Sequence, residues 1–296
     1  MPAATIDETV LAVHRRELHI HCYRLLANFE EAEDAVQETL TKAWQARDNF
    51  GGAGNARAWL YRIATNVCLD RMRQVKALDR SFAEVPWLQP YPDALLDEPL
   101  EVVVARETIE LAFLAVIQLL PARQRAVLVL RDVLEWSAAE TAKALEMTVP
   151  AVTSALQRAR ATIADKRPPT TQPSPYEQEL LARFIDAHER MDAEASLAMV
   201  REDIRITMPP NPMFFEGRAQ MRQLFGDARE MGEWRLVPAW VNRMPAAVSY
   251  LKRPGDTVFR PFKVDVLRAD GDLIVETTTF DARLVAWLGL PATLIA

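Results

Sequence analysis

The chain is poor in the residues that build disulfide frameworks and metal clusters: it has two cysteines, Cys22 and Cys68, and four histidines in 296 residues. Both cysteines fall inside apolar helical patterns, which suits reduced thiols in a cytoplasm and excludes a cystine-stapled scaffold. His14, His19, His21 and Cys22 crowd together. However, Leu18 separates His14 from His21 on their helix face and His19 points elsewhere, so no metal or other cofactor is read there. The start, MPAATIDETV, has neither a basic nor an apolar leader segment, and no run approaches the roughly 20 apolar residues of a membrane helix. A cytoplasmic location without a membrane partner is therefore expected. Cations are not in excess: the net charge is -6, and acids exceed bases by three on each side of Thr170. This excludes a protein that coats nucleic acid by global charge, so any DNA contact must come from local patches. Internal repeats are absent, and low complexity is confined to linkers.

The length suits two or three compact units. Residues 5–81 read as helical. Within them, NARAWLYRIATNVCLDRMR at 55–73 places Leu60, Ile63, Ala64 and Val67 on a buried stripe. Around the stripe stand Arg57, Trp59, Tyr61, Arg62, Asn66, Arg71 and Arg73. Cations hold phosphates, aromatic faces accept unstacked bases and an amide reads a base edge, so the mixture suits single-stranded as well as duplex DNA. A solvated basic helix face is the plainer reading. Upstream, EEAEDAVQETL carries an acidic face, either solvated or docked on a basic partner, and Gly51, Gly52 and Gly54 break the helix into a loop.

Residues 82–99 contain Pro86, Pro90, Pro92 and Pro99 with several acids, which predicts an extended tether. Trp87, Leu88 and Tyr91 are apolar enough to dock on the protein's own surface or on a partner. Helices resume over 100–167. Ser137 and Glu140 form a capping-box pattern, a turn falls at Glu146 to Thr148, and Pro150 stands in the first turn of a second helix. Val152, Leu156, Ala159 and Ile163 share its inner face, with Thr153, Ser154, Gln157 and Arg158 on or beside the outer one. Such a pair is a helix-turn-helix; an ordinary helical hairpin is the alternative. PPTTQPSPY, residues 168–176, is the clearest linker. From 176 to 296 helices give way to successive strands, which indicates an α+β domain with an antiparallel sheet.

Taken together these segments resemble the extracytoplasmic-function sigma factors of bacterial RNA polymerase. DAVQETLTKAW at 34–44 is similar to the segment that docks on core polymerase, which implies roles for Asp34, Gln37, Glu38 and Thr41. RAWLYRIATN at 57–66 is similar to the segment that melts and captures the -10 element, which makes Asn66 the candidate for a flipped base with Trp59 and Tyr61 as supports. LPARQRAVLVL at 120–130 with residues 137–160 resembles the domain that reads the -35 element. There Thr153, Ser154 and Gln157 would meet base edges, and Arg158 and Arg160 phosphates. Relatives often carry Lys and Arg where this chain has Thr153 and Ala155. The resemblance implies core polymerase and promoter DNA as partners and two all-α sigma domains.

The remainder resembles SnoaL-like domains of the NTF2-like cone fold, and WLQPYPD at 87–93 is similar to a linker motif of sigma subgroups that carry such a tail. The domain division that follows is 5–81, 82–99, 100–167, 168–175 and 176–296. If Asp270 and Gly271 form a two-residue hairpin turn, Asp265 faces Glu276 across the strands. That pair would be solvated, relieved by Lys263, or buried with a shared proton as part of a ligand pocket. His188 reads as a residue of a surface helix. Three functions compete: a promoter-specificity subunit whose non-enzymatic tail braces it, with or without a small-molecule ligand; a helix-turn-helix regulator independent of polymerase; and a sigma factor whose tail is an enzyme.

Overall fold

The computed structural model describes residues 6–50, 55–74, 85–96, 106–166 and 176–295. The glycine-rich loop at 51–54, the Pro-rich linker at 168–175 and the outer parts of 82–99 lie outside the described residues. The described chain divides into two units, one of residues 6–74 and 106–166 and one of 85–96 and 176–295.

The first unit is all helical. α1 (Glu8–Leu26) starts at Asp7, whose carboxylate accepts from the Val10 N–H. α2 (Phe29–Gln45) starts at Asn28, whose Oδ1 accepts from the Glu31 N–H. Each cap satisfies an otherwise orphaned donor. α3 (Ala56–Gln74) packs on both. Its buried stripe is Leu60, Tyr61, Ala64, Thr65, Val67 and Cys68; Ile63 is only half-buried and Tyr61 joins the core instead. The thiols of Cys22 and Cys68 are free and fully buried, and burial raises the Cys68 pKa well above the usual thiol value. His14 pairs with Glu17 at 2.5 Å and His21 Nε2 meets Thr65 Oγ1 at 2.9 Å. No cluster of three or more potential metal ligands occurs among the described residues.

α4 (Leu111–Gln118) and α5 (Ala122–Leu128) follow, and α5 runs on through one π turn at Val129–Val133. α6 (Ala138–Leu145) carries the expected capping box: Ser137 Oγ accepts from the Glu140 N–H, and Glu140 returns the bond to the Ser137 N–H. Glu146 closes α6 in the left-handed region at φ 53°. α7 (Val149–Lys166) then buries Val152, Ala155, Leu156 and Ala159, completing a helix-turn-helix.

In the second unit α8 (Glu177–Glu189) and α9 (Ala193–Ala198) precede a sheet. Its strands are β1 (Val200–Met208), β2 (Asn211–Glu216), β3 (Glu233–Val241), β4 (Met244–Lys252), β5 (Val258–Asp270) and β6 (Leu273–Asp281), with α10 (Gly217–Met231) between β2 and β3 and a short β7 (Leu294–Ile295) on β5. The order is β2-β1-β6-β5-β4-β3. The sheet is mixed, because β1 runs parallel to β6; the purely antiparallel expectation fails at that central crossover. One core cluster joins Leu180, Phe184, Met199, Ile206, Phe225, Trp234, Leu236 and Leu267 between helices and sheet.

Candidate functional site

On α3, Asn66 is exposed and Trp59 half-buried, its ring 5.3 Å from Phe50. Arg73 is exposed and pairs with Asp70 at 2.6 Å. The other polar groups are tied down. Arg57 Nε donates to Glu17 Oε2 at 2.7 Å, and the Tyr61 hydroxyl donates to the same oxygen at 3.1 Å. Tyr61 is 3% exposed, and its ring lies between His21 and Trp136 at 4.9 and 6.2 Å. In this structure it is therefore a core residue and not an open stacking platform, and burial raises the pKa of its phenol. Arg71 reaches back to α2, donating to Glu31 at 2.9 Å and Glu38 at 3.2 Å. Asp34, Gln37 and Thr41 are exposed on α2, whereas Glu38 is held by Lys42 and Arg71.

On α7, Thr153, Gln157, Arg158 and Arg160 are exposed and Ser154 is half-buried. Arg158 donates to Ser154 Oγ at 2.7 Å, and Arg160 makes a two-pronged pair with Asp132 at 2.9 and 2.7 Å. Thr153 Oγ1 donates to Val149 O at 3.1 Å.

The two helical segments pack on each other. Arg62 of α3 donates to Glu146 of the helix-turn-helix turn at 3.3 Å, and Arg24 of α1 donates to Thr108 at 2.9 Å. Arg125 is 6% exposed and gives one N–H to Leu25 O at 2.7 Å, with others to Gln118 and Leu120 carbonyls. Desolvation lowers its pKa to about 9. Sequence reasoning missed Glu17, Arg125 and Trp136, because their partners lie 40 or more residues away in sequence or across the interface.

In the second unit, part of the 82–99 tether is docked. Pro92 bridges Val241. The Asn242 N–H donates to Tyr91 O at 2.9 Å, the Tyr91 N–H to Asn242 Oδ1 at 2.7 Å and the Arg243 N–H to Asp93 Oδ1 at 2.8 Å. Asn242 and Arg243 form the β3–β4 turn, both with φ above 50°, the geometry of a two-residue hairpin turn.

A cavity of about 470 Å³ opens on the inner face of the sheet, with Phe184, Met221, Leu224, Phe225 and Met231 among its apolar walls. Asp265 lines it and Glu276 does not. The hairpin turn falls at Gly271 and Asp272, one place beyond the expected one, and a bulge between Arg268 and Ala269 shifts the register again. Asp265 consequently faces Thr279, and Glu276 faces Arg268 at 2.8 Å on the opposite side of the sheet. His188 lines the cavity instead of a solvated face, its ring stacked on Phe184 at 3.7 Å.

A helical bundle that exposes an amide and a cation on one helix, joined to a helix-turn-helix that exposes polar and basic groups on its second, defines a bipartite DNA-binding protein. Residues 11–77 match the family model Sigma-70 region 2, and residues 110–163 match Sigma-70, region 4. The chain is 39% identical to the ECF RNA polymerase sigma factor SigG of Mycobacterium tuberculosis, across 95% of this chain and 83% of that protein. It is 33% identical to SigW of Bacillus subtilis across 51% of this chain and 83% of that one. The crystal structure of Mycobacterium tuberculosis SigJ superposes with a TM-score of 0.69 at 22% identity, covering 95% of this chain and 98% of SigJ. The chain belongs to the ECF RNA polymerase sigma factors, and its fold over both units is that of the SigJ structure. As a sigma factor it serves transcription initiation with core RNA polymerase and promoter DNA. No helix among the described residues is long and apolar enough to cross a membrane.

Proposed function

We propose that Asn66 and Trp59 capture extruded bases of the -10 element, with Arg62 and Arg73 on phosphates and Arg57 and Arg71 positioning α3. Thr153, Ser154, Gln157, Arg158 and Arg160 read and hold the -35 element, and the outer face of α2 at Asp34, Gln37, Glu38 and Thr41 meets core polymerase. The C-terminal unit acts as a non-enzymatic regulator that restrains the linker between the two sigma regions. The observation that carries this reading is the clasp of Tyr91 and Asp93 on the Asn242–Arg243 turn, since a linker held there is not free to follow a path through polymerase.

Permanganate footprinting with core enzyme on genomic promoter fragments tests both parts. Asn66→Ala should cut opening about tenfold or more, the loss expected when a captured base forfeits about 1.4 kcal/mol. Asp93→Ala with Asn242→Gly should raise it. Full opening by the Asn66 variant would sink the first assignment; unchanged opening by the clasp variant would sink the second.

A further inference from the structure

We propose that Val149, together with the γ-methyl of Thr153, sets part of the -35 specificity by packing on the 5-methyl groups of thymines. The proposal rests on the reading of α7 as the helix that meets the -35 element and adds a residue to that readout. Val149 opens α7 and is 45% exposed. An isolated exposed valine is ordinary on a protein surface. This one stands at the N-terminal end of the second helix of a helix-turn-helix, the end whose side chains meet base edges. Its place is fixed by the turn before it. Thr148 Oγ1 accepts from the Ala151 N–H at 3.3 Å and Thr148 O from the Val152 N–H at 3.0 Å, which closes the first turn. The buried face of α7 begins only at Val152, so Val149 lies beyond the packed part of the helix. Thr153 and Gln157 follow it at four-residue steps and are exposed.

The chemistry of this end of α7 narrows what it can read. Thr153 Oγ1 spends its proton on Val149 O at 3.1 Å, which leaves Thr153 a methyl group and an acceptor to offer. Pro150, also exposed, brings neither a polar side chain nor an amide donor. The first turn therefore presents an apolar surface without a side-chain donor. Guanine shows two acceptors in the major groove, N7 and O6. Set against Val149 they would lose water and gain no partner, which is costly. Thymine carries an apolar group on the same edge, its 5-methyl, and an apolar side chain matches it. Valine and threonine are stiff at χ1 in a helix, so the contact immobilises little. Val149 and Thr153 lie about 6 Å apart along the axis at 1.5 Å per residue, about two base steps of 3.4 Å, so the methyl groups belong to neighbouring base pairs.

Full-length protein with core polymerase selects duplexes from a library randomised over the -35 region. In the selected duplex each thymine of the element is then replaced in turn by deoxyuridine, which removes the 5-methyl group alone. At one or two positions binding should fall about fourfold, the factor that burial of one methyl group gives. Val149→Ala should shrink the loss at one of these positions to less than about twofold. Thr153→Ser, which keeps the hydroxyl bond to Val149 O and deletes the methyl, should do the same at the neighbouring position. No loss at any thymine in the wild type, a loss that survives both substitutions, or a selected element without thymine would overturn the proposal. Gln157→Ala on the same duplex separates two kinds of failure. Weakening by Gln157→Ala without any dependence on Val149 leaves α7 on the -35 element and removes only the methyl contact. No effect from any of the three substitutions removes the reading of α7 and the methyl contact together.

Discussion

His188 illustrates how far the surroundings of one side chain depart from its sequence pattern. Helical spacing puts it on a polar face, yet α8 turns that position onto the cavity between Phe184 and Phe225. Desolvation, with Lys263 in support, keeps the ring neutral down to about pH 4. The ring of an unfolded chain takes up its proton near pH 6.5. Above that pH neither state holds the proton and the shift has no effect on stability. Below it only the unfolded chain is protonated, so the C-terminal unit loses about 1.4 kcal/mol per pH unit from this group until pH falls to about 4. Between pH 7 and pH 5 the loss is roughly 2 kcal/mol. His188→Asn, whose amide can still donate to Phe184 O, should flatten that dependence by about the same amount. Hydrogen exchange of the β3–β6 amides at the two pH values measures it in the C-terminal unit separately. His19 and His21 of the helical unit, lowered to about 4 and about 3 mainly by burial, give the same sign there and remain in the variant. An equally steep pH dependence in His188→Asn would show that the proton is taken up elsewhere.

At the scale of elements, the clasp joins two pieces of chain separated by about 150 positions through a handful of backbone bonds. The Asn242 Oδ1 acceptor and the positive φ of both turn residues separate two effects of substitution. Asn242→Gly keeps the turn geometry and removes the acceptor, so the Tyr91 amide should exchange about tenfold faster, for a bond worth about 1–1.5 kcal/mol. Asn242→Ala adds strain in the left-handed region and should also lower the melting temperature. Tyr91 protection unchanged from wild type in both variants would mean that the linker is held by its buried Leu88 and Tyr91 side chains instead. The clasp was only half legible in the sequence. Trp87, Leu88 and Tyr91 announce docking, but an Asn-Arg pair lacks the glycine that marks most hairpin turns, so the turn they dock on is not marked. The capping box at Ser137 and the spacing of Val152, Leu156 and Ala159 were fully legible, because local hydrogen bonding and a single helical period decide them. The β5–β6 register was not: the turn sits at Gly271 and Asp272, and the bulge at Arg268 depends on pairing across the sheet.

At the scale of the whole molecule, the two sigma regions share one packed unit, and this fixes what must change on a promoter. The -10 and -35 elements are separated by about 25 base pairs, or about 85 Å at 3.4 Å per step. A compact unit of about 150 residues measures roughly 35–40 Å across. On the roles proposed above for Asn66 and Gln157, the two residues cannot both reach the -10 and -35 elements while Arg62 holds Glu146 and Arg125 holds Leu25 O. The contacts are of a kind that can be released. Arg62 and Glu146 are largely solvated, and such pairs contribute about 0–1 kcal/mol. Arg125 is buried against the carbonyls of Leu25, Gln118 and Leu120, and desolvation already lowers its pKa to about 9, so rehydrating its guanidinium offsets part of the cost of separation. Because Cys22 and Cys68 are fully buried, cysteines introduced by Ala58→Cys and Lys143→Cys, both at exposed positions, can be labelled selectively for energy transfer. The free protein should show a separation below about 40 Å, and the complex with core polymerase and an opened promoter one above about 60 Å. Glu146→Lys, which sets like charges against each other at Arg62, should shift the free protein toward the longer distance. A short distance retained in a complex whose promoter is open by permanganate would overturn the requirement that the regions part.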